Sequence, residues 1–280
     1  MSGGNDLRFG FGANWRAFLS ALDEDRMAIA RESIRELTGL DQLAGRTFLD
    51  VGCGSGLFSL AARQMGARVL SFDYDPQSVE CARELRKRFF PDDPDWDIRQ
   101  GSALDADFLG GLGTFDLVYS WGVLHHTGDM WRALAQMPRL LTERGLLVVS
   151  LYNECGLRSR FWRGVKRFYC RSPKPVRWAL LLGMVGVCEG QSALLRLARG
   201  QNPLPFKLWR EYRRNRGMSK WHDWVDWVGG YPFETALPGE VVEFYRRLGL
   251  RLERLKTPGP GHCCNEYVFV RHEGASPCAA

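Results

Sequence analysis

The stretch Phe48-Leu49-Asp50-Val51-Gly52-Cys53-Gly54-Ser55-Gly56 constrains this chain more than any other. Apolar residues run into three alternating glycines, and Leu57 to Gln64 then reads as a helix. Glycine lets the backbone turn tightly and lets a ligand approach it closely. The helix start adds N–H groups with no partner inside the helix. The pattern differs from the dinucleotide fingerprint, which counted from Gly52 requires glycine at 57, where Leu57 stands. It also lacks the Gly-Lys-Ser/Thr of a phosphate loop. Asp50, two residues before the first glycine, disfavours a pyrophosphate and suits a ligand with an ammonium or sulfonium charge.

The surrounding sequence alternates strand and helix. Thr47 to Val51, Arg68 to Phe72, Trp96 to Arg99, Phe115 to Tyr119 and Leu146 to Tyr152 read as strands with helices between them. Short apolar strands separated by helices predict a parallel sheet covered on both faces. Asp75-Pro76 predicts the cap and first residue of the helix after the second strand. Pro238 to Leu248 predicts a late helix, and Leu250 to Leu255 and Glu266 to Arg271 predict closing strands.

Three further places at strand ends suit ligand contacts. Asp73 lies 21 residues after Gly52, where a carboxylate accepts ribose hydroxyls in such folds. Gly101-Ser102-Ala103-Leu104-Asp105 follows the third strand and suits the edge of an adenine. The run through Ser120, Trp121, Gly122, Val123, Leu124, His125 and His126 follows the fourth, at the sheet edge where ligands bind.

Together these residues resemble the class I S-adenosylmethionine-dependent methyltransferases, in motif style the ubiquinone-biosynthesis O-methyltransferases and their small-molecule relatives. The resemblance covers about Thr47 to Tyr152, and the element order after Ala236 is consistent with it. It implies an α/β, Rossmann-like, doubly wound seven-stranded sheet with an antiparallel last strand and a helical lid inserted after the fifth strand. It implies S-adenosyl-L-methionine as cofactor. By position, Asp50, Gly52, Gly54 and Gly56 would hold its methionine part, and Asp73 its ribose. Tyr74 would lie against the adenine, Ser102 and Ala103 would meet the adenine edge, and Ser120 with Trp121 would line the methionine end. The expected organisation is a helical arm over 1–45, a cofactor-binding core over 46–152, a basic lid over 153–235 and a completion of the sheet over 236–280.

A sulfonium methyl is already activated, so the protein must align an acceptor, exclude water and in some cases remove a proton. Histidine suits that task at neutral pH, and the chain has five. His125 and His126 follow the fourth strand and either act as a base or orient the loop. His222 lies in Trp221-His222-Asp223-Trp224-Val225-Asp226-Trp227. Those three tryptophans either pack a helix or wall an acceptor pocket, with His222 oriented by Asp226. His262-Cys263-Cys264 lacks the spacing of a zinc pair, so no metal is expected.

Charge is unevenly distributed. Gly156 to Lys220 holds 16 Lys or Arg against Glu189 and Glu211, a net +14 that leaves the other 215 residues at −8. This face is either solvated, or meets an anionic small molecule or membrane surface, or contacts RNA phosphates. Its longest uncharged apolar run, Trp178 to Cys188, is too short for a membrane span. The N-terminus lacks the apolar region of a secretory signal. The eight cysteines show no disulfide framework, so a cytoplasmic location is expected. Phe9-Gly10-Phe11-Gly12-Ala13-Asn14-Trp15 reads either as a flexible arm with anchoring rings or as a flap over a ligand.

The expected activity is methyl transfer to a small molecule, with oxygen the favoured acceptor atom. RNA methylation through the basic lid and a non-catalytic cofactor-binding protein are the alternatives.

Overall fold

A computed structural model describes residues 8–10, 12, 22–204, 220–257 and 263–271 of the chain. Elements are numbered in chain order. The first described helix, α1 (Glu24–Thr38), opens on Asp23, whose side chain accepts from the Arg26 N–H, and stops at left-handed Gly39. There follow β1 (Thr47–Val51), α2 (Leu57–Gln64), β2 (Arg68–Asp73), α3 (Pro76–Phe89), β3 (Trp96–Gln100), α4 (Ala106–Gly110) and β4 (Phe115–Trp121). A short 3-10 turn over Leu124–His126 leads to α5 (Met130–Gln136) and β5 (Leu141–Tyr152). The chain then forms α6 (Leu157–Arg171), α7 (Lys174–Ala198), α8 (Lys220–Gly229), α9 (Pro238–Arg247), β6 (Leu250–Lys256) and β7 (Cys264–Arg271).

The seven strands form one sheet in the order β3-β2-β1-β4-β5-β7-β6. β1 to β5 pair in parallel, and β7 runs antiparallel to both β5 and β6. This is the expected doubly wound sheet with an antiparallel last strand and helices inserted after the fifth. The alternation of side chains along each strand feeds two cores. Phe48, Leu117 and Tyr119 face α1, α2 and α3, where Ile34, Leu60 and Leu85 are fully buried. Leu49, Val51 and Val149 face α4, α5 and α9, where Leu109, Leu134 and Tyr245 meet them. Strand order reverses between β1 and β4, and the carboxyl edge at such a switch point is open to ligands.

Beyond β5, α6 and α7 are joined by a tight corner at Ser172 and Pro173. Pro175 falls in the first turn of α7, where its missing N–H has no helical partner to lose. One expectation is corrected here. α7 has 25 residues and is, by length and composition, long and apolar enough to cross a membrane. A count of consecutive uncharged residues stops at Glu189, whereas the helix continues through it to Ala198.

The tryptophans of α8 pack rather than wall an empty groove. Trp227 meets Trp162 of α6 edge-on at 4.2 Å, and Trp221 stacks on Trp178 of α7 at 5.7 Å. Trp224 joins the same cluster with Tyr169, Leu181 and Val228. Apolar rings at spacing three on one helix thus join three helices into one cap.

Candidate cofactor and acceptor site

The glycine turn connects β1 to α2, with φ of 75° at Gly52, 55° at Gly54 and 81° at Gly56. At Gly52 a Cβ would lie 2.2 Å from a Val123 methyl, so β4's following loop closes directly on the turn. Only glycine satisfies both the dihedral and the contact.

Asp73, at the end of β2, ties this turn to the second helix. Its Oδ2 accepts the Gly54 N–H and its Oδ1 the Asp75 N–H, both at 2.9 Å. Burial pushes its carboxyl up to about 6, against the lowering effect of those two N–H groups. Each oxygen retains a second lone pair, so the carboxylate can still accept hydroxyls. Asp75 caps α3 through the Gln77 N–H, as its position before Pro76 predicts.

Asp50 lies beneath the turn, buried, at the end of a hydrogen-bond chain. Trp96 Nε1 donates to Ser71 Oγ at 2.9 Å, Ser71 to Ser59 Oγ at 2.7 Å, and Ser59 to Asp50 Oδ2 at 2.5 Å. Burial raises its carboxyl to about 7, offset in part by Ser59 and raised further by Asp73. A buried acid beside a second acid attracts a cation more strongly than it does at the surface. The glycine cradle and these two acids suit a ligand that joins a ribose to an ammonium and a sulfonium. S-Adenosylmethionine has those groups, and the residues present fit it.

A pH dependence follows. Both acids titrate above the ordinary carboxylate value near 3.9. The ligand-free folded state therefore keeps protons that the unfolded chain releases, and stability falls as pH rises from about 4 to about 7. A cationic ligand favours the ionised forms, so its affinity rises with pH and levels off above about 8. Affinity at pH 5 is expected roughly a hundredfold below that at pH 8. Calorimetry in buffers of different ionisation enthalpy checks this, and a flat profile without proton release would contradict it.

The remaining expected contacts divide. Tyr74 is 54% exposed beyond β2. Ala103 is buried and Ser102 half-buried at the end of β3, where Ser102 Oγ accepts the Leu104 N–H. Trp121 is exposed and donates its indole N–H to Glu266 at 2.9 Å. Ser120 is fully buried and donates to the Val51 carbonyl at 3.1 Å, bracing β4 against β1.

The two histidines after β4 differ. His125 is fully buried, its ring 4.1 Å from that of Tyr152, and burial holds it neutral. His126 has Nδ1 2.6 Å from the Pro232 carbonyl, a contact that places the proton on Nδ1 and leaves Nε2 as the acceptor nitrogen. Burial lowers His126 to about 4, so it is neutral at physiological pH. The side chains of His222 and Asp226, and all of His262, lie outside the described residues.

Two features carry no spacing that sequence reasoning could single out. Glu234 accepts N–H bonds from Gly128 and Met130, holding the cap segment 231–235 against the start of α5. Together with Trp131, Arg163, Tyr231 and Phe233 it lines a cavity of about 510 Å³ beside the histidine loop. Arg8 reaches across the carboxyl edge, with its guanidinium 4.6 Å from the Tyr74 ring centre and 2.9 Å from the Thr127 carbonyl. Phe9 N–H bonds the Tyr231 carbonyl and Gly12 N–H bonds Asp75. These contacts tie the described residues of this segment to the β2 end, the β4 loop and the cap.

Comparison with known proteins agrees with this geometry. Residues 49–149 match the family model described as a methyltransferase domain. The chain is 36% identical over 108 residues to the ribosomal protein L11 methyltransferase of Thermosipho africanus, covering 38% of this chain and 37% of that one. It is 30% identical over 138 residues to the ubiquinone biosynthesis O-methyltransferase of Cereibacter sphaeroides, covering 47% and 51%. The matches thus span about half or less of the length of these relatives. Among solved structures, the magnesium protoporphyrin IX methyltransferase from Synechocystis PCC 6803, with bound SAH, aligns with a TM-score of 0.55. Identity there is 15%, with 93% of this chain and 94% of that one covered, so the likeness is one of fold. The domain matched at residues 49–149 is thus of methyltransferase type, and the seven-stranded sheet that carries it has the fold of a solved methyltransferase.

Proposed function

We propose that the protein transfers a methyl group from S-adenosylmethionine to a small-molecule acceptor, with oxygen the favoured atom. The observation that carries this reading is the glycine turn with Asp73 at the carboxyl edge of the sheet, together with an open, partly aromatic cavity between the loop after β4 and the segment 231–235. The cofactor supplies an activated methyl group on a sulfonium. Asp73 orients it through the ribose, and the ionised Asp50 offsets its positive charge from beneath the turn. Arg163 of α6 and the segment 231–235 wall the cavity on the cap side and so limit water around an acceptor. Trp131, Tyr231 and Phe233 suit an aromatic or otherwise apolar body, and Arg163 suits an anionic substituent on it.

His126 fits the role of a neutral proton acceptor, with Pro232 fixing its tautomer. Its low basicity makes it a weak base, so positioning remains the main contribution. His126→Ala is expected to lower turnover about 10- to 100-fold while cofactor affinity changes less than threefold. Unchanged turnover across pH 6–9 would leave His126 as a residue that only orients its loop.

The acceptor class is tested by incubating the purified protein with labelled S-adenosylmethionine and either a small-molecule extract or an RNA extract. Label in the small-molecule fraction is expected. Label confined to RNA would transfer the role of the basic cap to phosphate contact and overturn the small-molecule reading. Cofactor binding without label in either fraction would favour a non-catalytic cofactor-binding protein.

A further inference from the structure

α7 is apolar on more sides than the protein covers. Leu180, Leu181, Met184 and Val185 pack against Tyr169, Cys170 and the tryptophans of α8. On the rest of the helix, Leu182 is 57% exposed, Val187 57% and Leu194 68%, and Trp178, though stacked on Trp221, is 55% exposed. Only 6% of its most apolar 18-residue window is buried. A core helix of this composition would be mostly covered. On the neighbouring α6, Leu157, Phe161 and Phe168 are also exposed, and their spacings of four and seven place them on one helical face.

The charges around these side chains have one sign. Residues 157–199 contain ten Lys or Arg and a single acid, Glu189. Arg158, Arg160, Arg167, Arg171 and Lys174 are exposed along α6 and the start of α7, and Arg199 is exposed past its end. The apolar stretch of α7, interrupted by Glu189, therefore lies between two cationic ends. Exposed apolar side chains bordered by guanidinium and ammonium groups match a lipid surface with anionic headgroups, where each basic residue adds attraction and the apolar side chains enter the acyl boundary. An RNA partner would leave the exposed leucines without a role, because phosphate contact gives them no apolar surface to enter.

We infer that α6 and α7 form a docking surface for an anionic lipid bilayer, on which α7 lies in the interfacial plane. It lies there rather than spanning. Crossing would pull Leu181, Met184 and Val185 out of the cluster that joins α7 to α6 and α8, and would carry Glu189 into hydrocarbon. The surface rests on the exposure and charge of these two helices and is independent of which acceptor the site methylates.

The full chain is floated with vesicles of phosphatidylcholine alone and of phosphatidylcholine with about one third phosphatidylglycerol. Partitioning onto the anionic vesicles is expected at least about tenfold above the neutral ones, falling with added salt. Leu182→Glu with Leu194→Glu is expected to lower it by about tenfold per side chain. Both positions are exposed, and calorimetry with S-adenosylmethionine shows whether the variant retains its folded site. Equal failure to float with either vesicle overturns the inference, as does flotation unaffected by the double substitution. Retention after alkaline carbonate extraction would mean a spanning helix and also overturns it. A concentration-dependent dimer in sedimentation, with no vesicle binding, would assign the face to a second copy of the chain. A wild-type protein that floats but binds no cofactor would overturn the methyltransferase reading and leave the lipid surface intact.

Discussion

Asp73→Ala is expected to weaken S-adenosylmethionine binding by about 30- to 1000-fold, read by calorimetry. The carboxylate has three tasks that no neighbour duplicates. It accepts the Gly54 N–H and so shapes the glycine turn, it accepts the Asp75 N–H at the entry to α3, and it keeps lone pairs for ribose hydroxyls. Hydrogen bonds to an ionised acceptor contribute about 1.5–3 kcal/mol each. Asp73→Asn keeps one oxygen and the shape but loses the charge, so an intermediate loss is expected. An affinity unchanged in Asp73→Ala would mean that the ligand lies elsewhere on the sheet edge.

Gly52→Ala is expected to lower stability by about 2–5 kcal/mol and to abolish measurable cofactor binding. Its φ of 75° costs an alanine about 1–2 kcal/mol, and forcing a methyl into a filled space costs about 1–3 kcal/mol more. The crowding comes from Val123, whose Cγ1 and Cγ2 would lie 2.2 Å and 2.8 Å from the new Cβ. The pair separates the two causes. Adding Val123→Ala removes both methyl contacts and leaves the dihedral cost and the Val123 Cβ 3.0 Å away, so the double variant should recover up to about half of the lost stability. A double variant that melts with the single one would show that backbone strain alone sets the cost. At this chain length the single variant's melting temperature should fall by roughly 4–20 °C.

Much of the core was legible because its signals are local. Three glycines in alternation after an apolar strand have few conformations, and Asp75-Pro76 is a cap wherever a helix follows. Strand after strand, the apolar runs of Phe48 to Val51 and Leu117 to Tyr119 are what a sheet buried on both faces demands. The sign and place of the cap's charge are likewise properties of composition.

Other assignments depended on what lies across the fold. Ser120 stands in a ligand-edge segment by sequence, yet its hydroxyl turns to the Val51 carbonyl 69 residues away. Asp50 stands before the glycines in sequence, but burial beneath the turn and the neighbouring Asp73 raise its carboxyl, against the lowering effect of Ser59. Which nitrogen of His126 bears the proton is set by Pro232, 106 residues further along. The length of α7 as an apolar helix was hidden by Glu189, because a run of residue types does not register that helical hydrogen bonding continues through one charge.

The sequence by itself determined the alternation of strands and helices, the glycine turn with its two acids, and the excess of positive charge after β5. Those depend on backbone conformation and charge, which each residue carries with it. Only the tertiary structure decided that Arg8 joins Tyr74 to Thr127, that Glu234 fixes the cap to α5, and that half of α7 remains uncovered. Those depend on which distant surfaces meet, and burial, tautomer and exposure are properties of the meeting rather than of the residue.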